Sequence, residues 1–376
     1  NNGTLRDPVI YRCNIKDSHH QTGKKYKVYP TYDFACPIVD SIEGVTHVFR
    51  SKEYNERDVQ YRDIWNIVCK GQKYKGKELK LGNIYQFSRQ EFVRTVLSKR
   101  KLSDLIARGV VSGWDDPRLP TVQGIFRRGL QIEALINFVK AQAMTKKNNK
   151  QEWDKLWTFN KKILDPKVGR YFCVSNNKVL LTLTNVTNNN SCKSVPLHPK
   201  HKNGAKKLLT LSNEIYIERF DADAIKQKSC NKIILMNWGI INITKINTDN
   251  NGNIVNIVGN YDENDKKFKG LYGCTWVNKN DDLIPVTLVE LDYIFNDDGT
   301  ESNNESWKET SGLSESSLRL LSKGDIIQYI KRGFYIIDKP YIGRNEPAVL
   351  IFIPDGKETA MSKLGTATNK IKYSNK

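Results

Sequence analysis

Leu97-Ser98-Lys99-Arg100-Lys101-Leu102, with Arg89 and Arg94 just upstream, is the strongest local signal in the chain. Three consecutive cations repel one another unless solvent surrounds them or an anion sits among them. Taken alone, the stretch reads first as a solvated basic loop. A Ser-Lys pair on a mobile loop is also suited to clamping a polyphosphate, its ammonium stabilising charge that develops on a leaving group. One lysine cluster does not choose between the two. The composition around it leans toward an anionic partner: 60 Lys and Arg against 41 Asp and Glu leave a net charge of +19. Such an excess attracts phosphate at long range.

A length of 376 residues corresponds to two or three domains at roughly 150 residues each. With 39% hydrophobic and 27% charged residues, cores can form and wholesale disorder is excluded. The 7 cysteines are scattered, odd in number and without a CxxC pair, which reads as a reduced compartment rather than a zinc framework. No apolar run approaches the roughly 18 residues of a membrane span. The start, Asn1-Asn2-Gly3-Thr4-Leu5, has neither a methionine nor a signal-peptide core, so a piece of a longer polypeptide is expected.

Upstream of the basic stretch, Lys25–Ile38 alternates enough to hold a strand or two, limited by Pro30 and Pro37. Ile38–Val48 then reads as the start of a helix that Gly44 weakens. Val59, Tyr61, Ile64, Trp65 and Val68 fall near helical spacing, and Lys70–Lys80 reads as an exposed insertion. Residues 105–165 read as helical: Leu130, Ala134, Leu135, Phe138 and Val139 form a stripe after a turn at Gly129, and Trp153, Leu156, Trp157 and Phe159 form a second cluster. From about 166 the pattern changes to short β-type segments: Val179–Leu183, Glu214–Phe220, Lys232–Met236, Asn242–Ile246, Ile254–Val258, Pro285–Leu291, Asp325–Ile330, Phe334–Ile337 and Ala348–Ile353. Asn250-Asn251-Gly252-Asn253 is a hairpin turn among them. Many short strands at this spacing predict barrels or a sandwich. Asn188-Asn189-Asn190 and Asn303-Asn304 read as low-complexity loops.

The longer context of the basic stretch is more specific. Tyr29-Pro30-Thr31-Tyr32-Asp33-Phe34-Ala35-Cys36-Pro37-Ile38-Val39-Asp40-Ser41-Ile42-Glu43-Gly44-Val45-Thr46-His47 precedes it, and Ser112-Gly113-Trp114-Asp115-Asp116-Pro117-Arg118-Leu119-Pro120-Thr121 follows. Together, in this order, they resemble the glutamyl/glutaminyl branch of class I aminoacyl-tRNA synthetases in its eukaryotic and archaeal form. The likeness continues through Glu152-Trp153-Asp154-Lys155, Asn237-Trp238-Gly239, Lys323-Gly324-Asp325-Ile326-Ile327-Gln328 and Ile353-Pro354-Asp355-Gly356. It therefore covers essentially the whole chain.

The resemblance implies an α/β fold followed by mainly β structure. Residues 1–104 would hold the second half of a Rossmann-type catalytic domain, with the end of the acceptor-binding insertion and the lysine signature loop. Residues 105–165 would form a helical stem-contact subdomain, and 166–376 a two-β-barrel anticodon-binding region. Ser98-Lys99-Arg100-Lys101 resembles the branch's second class I signature. The resemblance then gives Ser98 and Lys99 catalytic roles and places Arg89, Ser98, Lys99 and Lys101 on ATP. Arg89 lies in Ser88-Arg89-Gln90-Glu91, which departs from the usual Ser-Arg-Leu-Asn of the family. The first class I signature is absent from the chain, and His19-His20 reads as a surface turn.

Thr46-His47-Val48-Phe49-Arg50 carries an arginine where glutaminyl members resemble one another in carrying cysteine. A guanidinium can pair with a substrate carboxylate in bidentate fashion, so Arg50, with Tyr32, is implied as the glutamate site. The implied activity is ATP-dependent attachment of glutamate to its tRNA through glutamyl adenylate. Mg²⁺ would accompany ATP, with no structural metal, a cytoplasmic location and partners in a multi-synthetase complex. Gln328 and Lys331 fall where glutaminyl relatives contact the middle anticodon base. A glutaminyl enzyme and a non-catalytic tRNA-binding module remain as alternatives. Asp115-Asp116 reads as a turn rather than a metal site. Cys192, His198 and His201 lack an evident fourth zinc ligand, and Met361-Ser362-Lys363-Leu364 only mimics the lysine signature.

Overall fold

The computed structural model describes residues 2–187, 191–201, 203–302, 305–343 and 345–356. The Asn188-Asn189-Asn190 and Asn303-Asn304 loops and Met361-Ser362-Lys363-Leu364 lie outside the described residues. The chain divides into two compact units, Asn1–Glu91 with Lys140–Gln151, and Phe92–Val139 with Glu152–Lys376.

In the first unit, the strands His47–Ser51 and Asn83–Phe87 pair in parallel, with His47 opposite Asn83 and Ser51 opposite Phe87. Parallel neighbours need a crossover, and it is supplied by a helix with the predicted span, Asp58–Val68. The helix before this β-α-β unit, α1 (Tyr32–Glu43), corrects the sequence expectation. Only Val28–Pro30 is a strand, paired antiparallel with Tyr11–Cys13, and helix begins at Tyr32 rather than Ile38, with Pro37 inside it. Tertiary contacts outweigh the cost of an internal proline. Asp40 accepts a hydrogen bond from the Tyr61 hydroxyl at 2.7 Å. Ser41 accepts one from the Trp65 indole at 2.7 Å and donates to the Lys80 carbonyl at 2.9 Å. Gly44, at φ +74°, ends α1 as a left-handed cap. With the crossover helix as α2, the Lys70–Lys80 insertion forms an exposed hairpin of Lys73–Tyr74 and Lys77–Glu78.

The second unit begins with helices α3 (Lys99–Ala107), α4 (Val122–Arg127), α5 (Ile132–Gln142) and α6 (Trp153–Leu164). Two seven-stranded sheets follow. One runs in the order Tyr272–Cys274, Lys232–Leu235, Gly239–Thr248, Ile254–Asp262, Lys178–Leu183, Glu214–Glu218 and Trp276–Asn278. The other runs Cys173–Ser175, Trp307–Ser314, Ile284–Leu291, Ala348–Ile353, Gly333–Lys339, Ile326–Tyr329 and Gly169–Tyr171. In each, the two edge strands are consecutive in sequence, separated only by Thr275 in the first and by Phe172 in the second. Each sheet therefore curls until its edges meet in one bent segment, giving two nearly closed barrels. All nine predicted β segments fall on strands of these sheets; Arg219 and Phe220 depart because α7 (Arg219–Gln227) begins there, and Met236, Asp325 and Ile330 lie just outside their strands.

The second barrel is apolar on both faces. Leu350 and Phe352 pack with Val286, Leu288, Tyr335 and Ile337 in its interior. The alternate residues Ile351 and Ile353 pack with Phe334 and Ile336 against Leu130, Ala134, Phe138, Leu156 and Trp157 of the helical segment. Gly129 permits that approach: its φ is +95°, and a Cβ there would lie 2.3 Å from the Ile353 side chain. No helix among the described residues is long and apolar enough to cross a membrane.

Candidate functional site

The carboxyl ends of the two parallel strands hold the densest cluster of buried polar groups in the first unit. Ligands in open parallel α/β sheets bind at such ends. Arg50, next to last in its strand, is 6% exposed. Its guanidinium lies 5.0 Å from the Tyr54 ring centre and 5.5 Å from that of Tyr61. Its nearest carboxylate, Asp58, stands 3.6 Å away, beyond hydrogen-bond reach. Gln86, the matching residue of the partner strand, donates to the other Asp58 oxygen at 2.5 Å. Arg50 Nη1, Ser51 Oγ, Asp58 Oδ1, Gln86 Oε1 and Asp33 Oδ1 are all buried without a hydrogen-bond partner. Orphaned polar atoms are costly and rare in folded proteins, and these five could all be satisfied by a polar ligand.

Tyr32 stands at the start of α1, 62% exposed, with its ring 6.0 Å from Tyr54. Its phenol titrates above the usual range, chiefly through its hydrogen bond with the Cys36 thiol, while Arg50 pulls the other way. Arg89 is exposed and pairs with Glu53 at 3.1 Å. The structure thus brings Tyr32, Arg50 and Arg89 around the single segment Arg50–Asp58. Beside Arg89, Ser88 donates its backbone N–H to the Thr145 carbonyl at 2.8 Å and its hydroxyl to the Lys147 carbonyl at 2.6 Å.

Ser98, Lys99 and Lys101 belong to the second unit. The basic stretch is not a loop throughout: Ser98 is the N-cap of α3, and Lys99, Arg100 and Lys101 form its first turn, all exposed. Leu102 and Leu105 on the opposite face pack with Leu119, Ile294 and Phe295, and this burial outweighs the repulsion among the cations. The first turn has no acidic residue, although a helix N-terminus favours negative charge. The arrangement leaves backbone N–H groups, a free hydroxyl and three cations facing solvent, a combination suited to an anion.

Gln328 lies half-buried in the strand Ile326–Tyr329, opposite Phe334 and Arg170. Lys331 occupies the following turn in a left-handed conformation, φ +69°. Its ammonium reaches out of the second barrel to Asp221 of α7, in the first, at 2.5 Å. It also lies 4.4 Å from the Tyr272 ring centre. Tyr272 donates its hydroxyl to the same Asp221 oxygen at 2.7 Å. Burial pushes the Asp221 carboxyl up in spite of both partners. Lys331 and Tyr272 line an open cleft with Lys228, Lys232 and Lys269. Two further buried ion pairs join the barrels: Arg332 with Glu218, and Lys207 with Glu315 at 2.6 Å.

Asp116 is 1% exposed. It accepts hydrogen bonds from the Ser112 and Arg118 backbones at 3.0 Å each and from the Arg118 guanidinium at 2.8 and 2.9 Å. Burial pushes its carboxyl up, but these bonds outweigh it and hold the carboxyl below the ordinary range. His198 and His201 bond the Asp165 and Pro166 carbonyls at 2.9 and 2.8 Å, so both serve the end of α6. All seven cysteines are free thiols. Sequence reasoning missed Asp58, Gln86 and Tyr54 around Arg50, and Asp221 beneath Lys331. Asp58 had a usable signal, an acid opening the helix directly after the Arg50 strand.

The chain belongs to the class I tRNA synthetases for glutamate and glutamine. The family's "tRNA synthetases class I (E and Q), catalytic domain" model matches residues 1–166, and its two "anti-codon binding domain" models match 168–262 and 274–338. Among curated relatives, "Glutamate--tRNA ligase, cytoplasmic" from Arabidopsis thaliana is 40% identical over 365 residues, covering 95% of this chain and 49% of the relative. "Probable glutamate--tRNA ligase, cytoplasmic" from Schizosaccharomyces pombe is 40% identical over 372 residues, covering 95% and 49%. "Bifunctional glutamate/proline--tRNA ligase" from Mus musculus is 38% identical over 382 residues, covering 97% of this chain and 24% of that protein. The chain spans about half the length of the first two.

Proposed function

We propose that this chain is the glutamate-reading, phosphate-clamping and tRNA-binding part of a cytoplasmic glutamate–tRNA ligase. The observation that carries the proposal is Arg50: a buried guanidinium whose Nη1 has no hydrogen-bond partner and stands 3.6 Å from Asp58, at the carboxyl end of a parallel strand, in a family that divides between an acid and its amide. Burying a substrate carboxylate without a counter-charge is costly. Arg50 supplies that charge, and Tyr32 borders the same place.

Arg89, Ser98, Lys99 and Lys101 would hold ATP, with Mg²⁺ carried on its phosphates. The glutamate α-carboxylate attacks the ATP α-phosphorus and pyrophosphate leaves, giving glutamyl adenylate; a hydroxyl of the terminal tRNA ribose then attacks the glutamyl carbonyl and AMP leaves. Lys99 would offset negative charge as it gathers on the departing pyrophosphate, so the residues act by positioning and charge stabilisation. Residues 1–104, 105–165 and 166–376 would serve the catalytic, stem-contact and anticodon-binding roles. Gln328 and Lys331 would face the middle anticodon base, and the parent protein would associate with other synthetases.

The parallel pair leaves Phe49 59% and Tyr85 48% exposed, which suits a sheet completed by the half carrying the first class I signature. The test is tRNA-dependent ATP–pyrophosphate exchange. The full-length parent should exchange with glutamate and not glutamine, and the 376-residue chain alone should not exchange. Glutamine-dependent exchange would assign the glutaminyl activity instead, and robust exchange by this chain would refute the missing half.

A further inference from the structure

We propose that Asp221 is the positioning residue of the anticodon-reading cleft, fixing the Lys331 ammonium where RNA meets it. The inference rests on the reading of Lys331 as an anticodon contact and goes beyond it, because Asp221 belongs to the other barrel. The cleft around Lys331 also holds Lys228, Lys232 and Lys269. Lys232 is paired with Asp265 at 2.7 Å, and an unrestrained ammonium on a four-carbon stem would be driven away from the charges of Lys228 and Lys269.

Asp221, fully buried, is the carboxylate that opposes that repulsion at Lys331. Its own orientation is set by the Tyr272 hydroxyl, and the Thr275 backbone N–H also faces it. The Tyr272 ring in turn carries Lys331 at 4.4 Å and Lys228 at 5.0 Å. The left-handed backbone at Lys331 aims the side chain across the joint rather than along its own hairpin. One ammonium is thereby held in a single place at the wall of the cleft, as discrimination between base edges requires.

The experiment measures binding of the 376-residue chain to two transcripts of glutamate tRNA, one with uridine and one with cytidine at the middle anticodon position, across a salt series. Wild type should prefer uridine. Asp221→Asn should reduce that preference about tenfold and leave the salt slope unchanged, since every lysine remains; Lys331→Met should reduce both. The double variant should lose no more preference than Lys331→Met alone. If Lys331→Met loses the preference while Asp221→Asn keeps it, the positioning role falls and the anticodon reading stands. If Lys331→Met keeps it, or wild type has none, the reading itself falls. Should Asp221→Asn fail to fold, Tyr272→Phe carries the test: it keeps the ring and removes the hydroxyl that orients Asp221. A reduced preference supports the proposal, and an unchanged one overturns it.

Discussion

The Arg50 cluster and the joint between the barrels use the same materials in opposite ways. At the joint, buried cations meet carboxylates within hydrogen-bond distance, as Lys207 does with Glu315 at 2.6 Å and Arg332 with Glu218. In the cluster, Arg50 and Asp58 stop 3.6 Å apart, and the facing atoms of both lack hydrogen bonds. A satisfied buried pair is committed to architecture. Under the proposed reading an unsatisfied one stays available, and a bound carboxylate would recover its cost.

The comparison breaks first at Glu315. Replacing it with alanine strands the Lys207 ammonium and also removes the acceptor of the Phe172 backbone N–H, so unfolding should become easier by about 3–5 kcal/mol. Chemical denaturation measures this, and a loss below about 1 kcal/mol would mean that the joint is not held by its ion pairs. In the full-length enzyme, Lys99→Ala should slow glutamate activation on the order of 10²-fold while changing tRNA affinity little. Unchanged activation with weakened tRNA binding would transfer Lys99 to the RNA surface.

Arg50→Cys sharpens the contrast most directly. The Michaelis constant for glutamate should rise at least about tenfold, roughly 1.4 kcal/mol, with glutamine relatively improved and thermal stability nearly unchanged. A large loss of stability with unaltered glutamate kinetics would make Arg50 architectural and erase the distinction. Asp116 gives the smallest effect. Its folded carboxyl lies below its ordinary value, so its contribution is present above about pH 4, the unfolded carboxylate range, and is lost as acid reaches the folded value. Asp116→Asn should flatten that part of the stability–pH curve, and an unaltered acid limb would sink the assignment.

The nine β segments were legible because β-branched residues recur between Asn and Gly turns, and Ala348–Ile353 was read to the residue. Trp307–Ser314 was not, because Lys308, Glu309, Thr310 and Ser311 carry no strand signal. It is a strand because Ile284–Leu291 pairs with it along its whole length. The strand read through Ile38 failed for the converse reason: Asp40 and Ser41 gain partners on α2 only if that segment is helical. Arg50 was legible by family likeness, whereas the unpaired atoms around it depend on burial. Asp221 becomes visible only once Lys331 is seen to cross between barrels.

The segment Gly169–Ser175 supplies both edge strands of a barrel whose remaining strands begin at Ile284. One barrel is therefore nested inside the sequence of the other, which sets an order of assembly. On a ribosome, the outer barrel's first two strands emerge roughly 100 residues before their partners, a wait of about 5–20 s at ordinary elongation rates. The inner barrel is complete within that interval and can fold on the nascent chain, while the outer one must close a long loop around it. Expressed from Ile284 onward, the outer barrel would lack two of its seven strands. The inner barrel, by contrast, can be excised with all of its strands present.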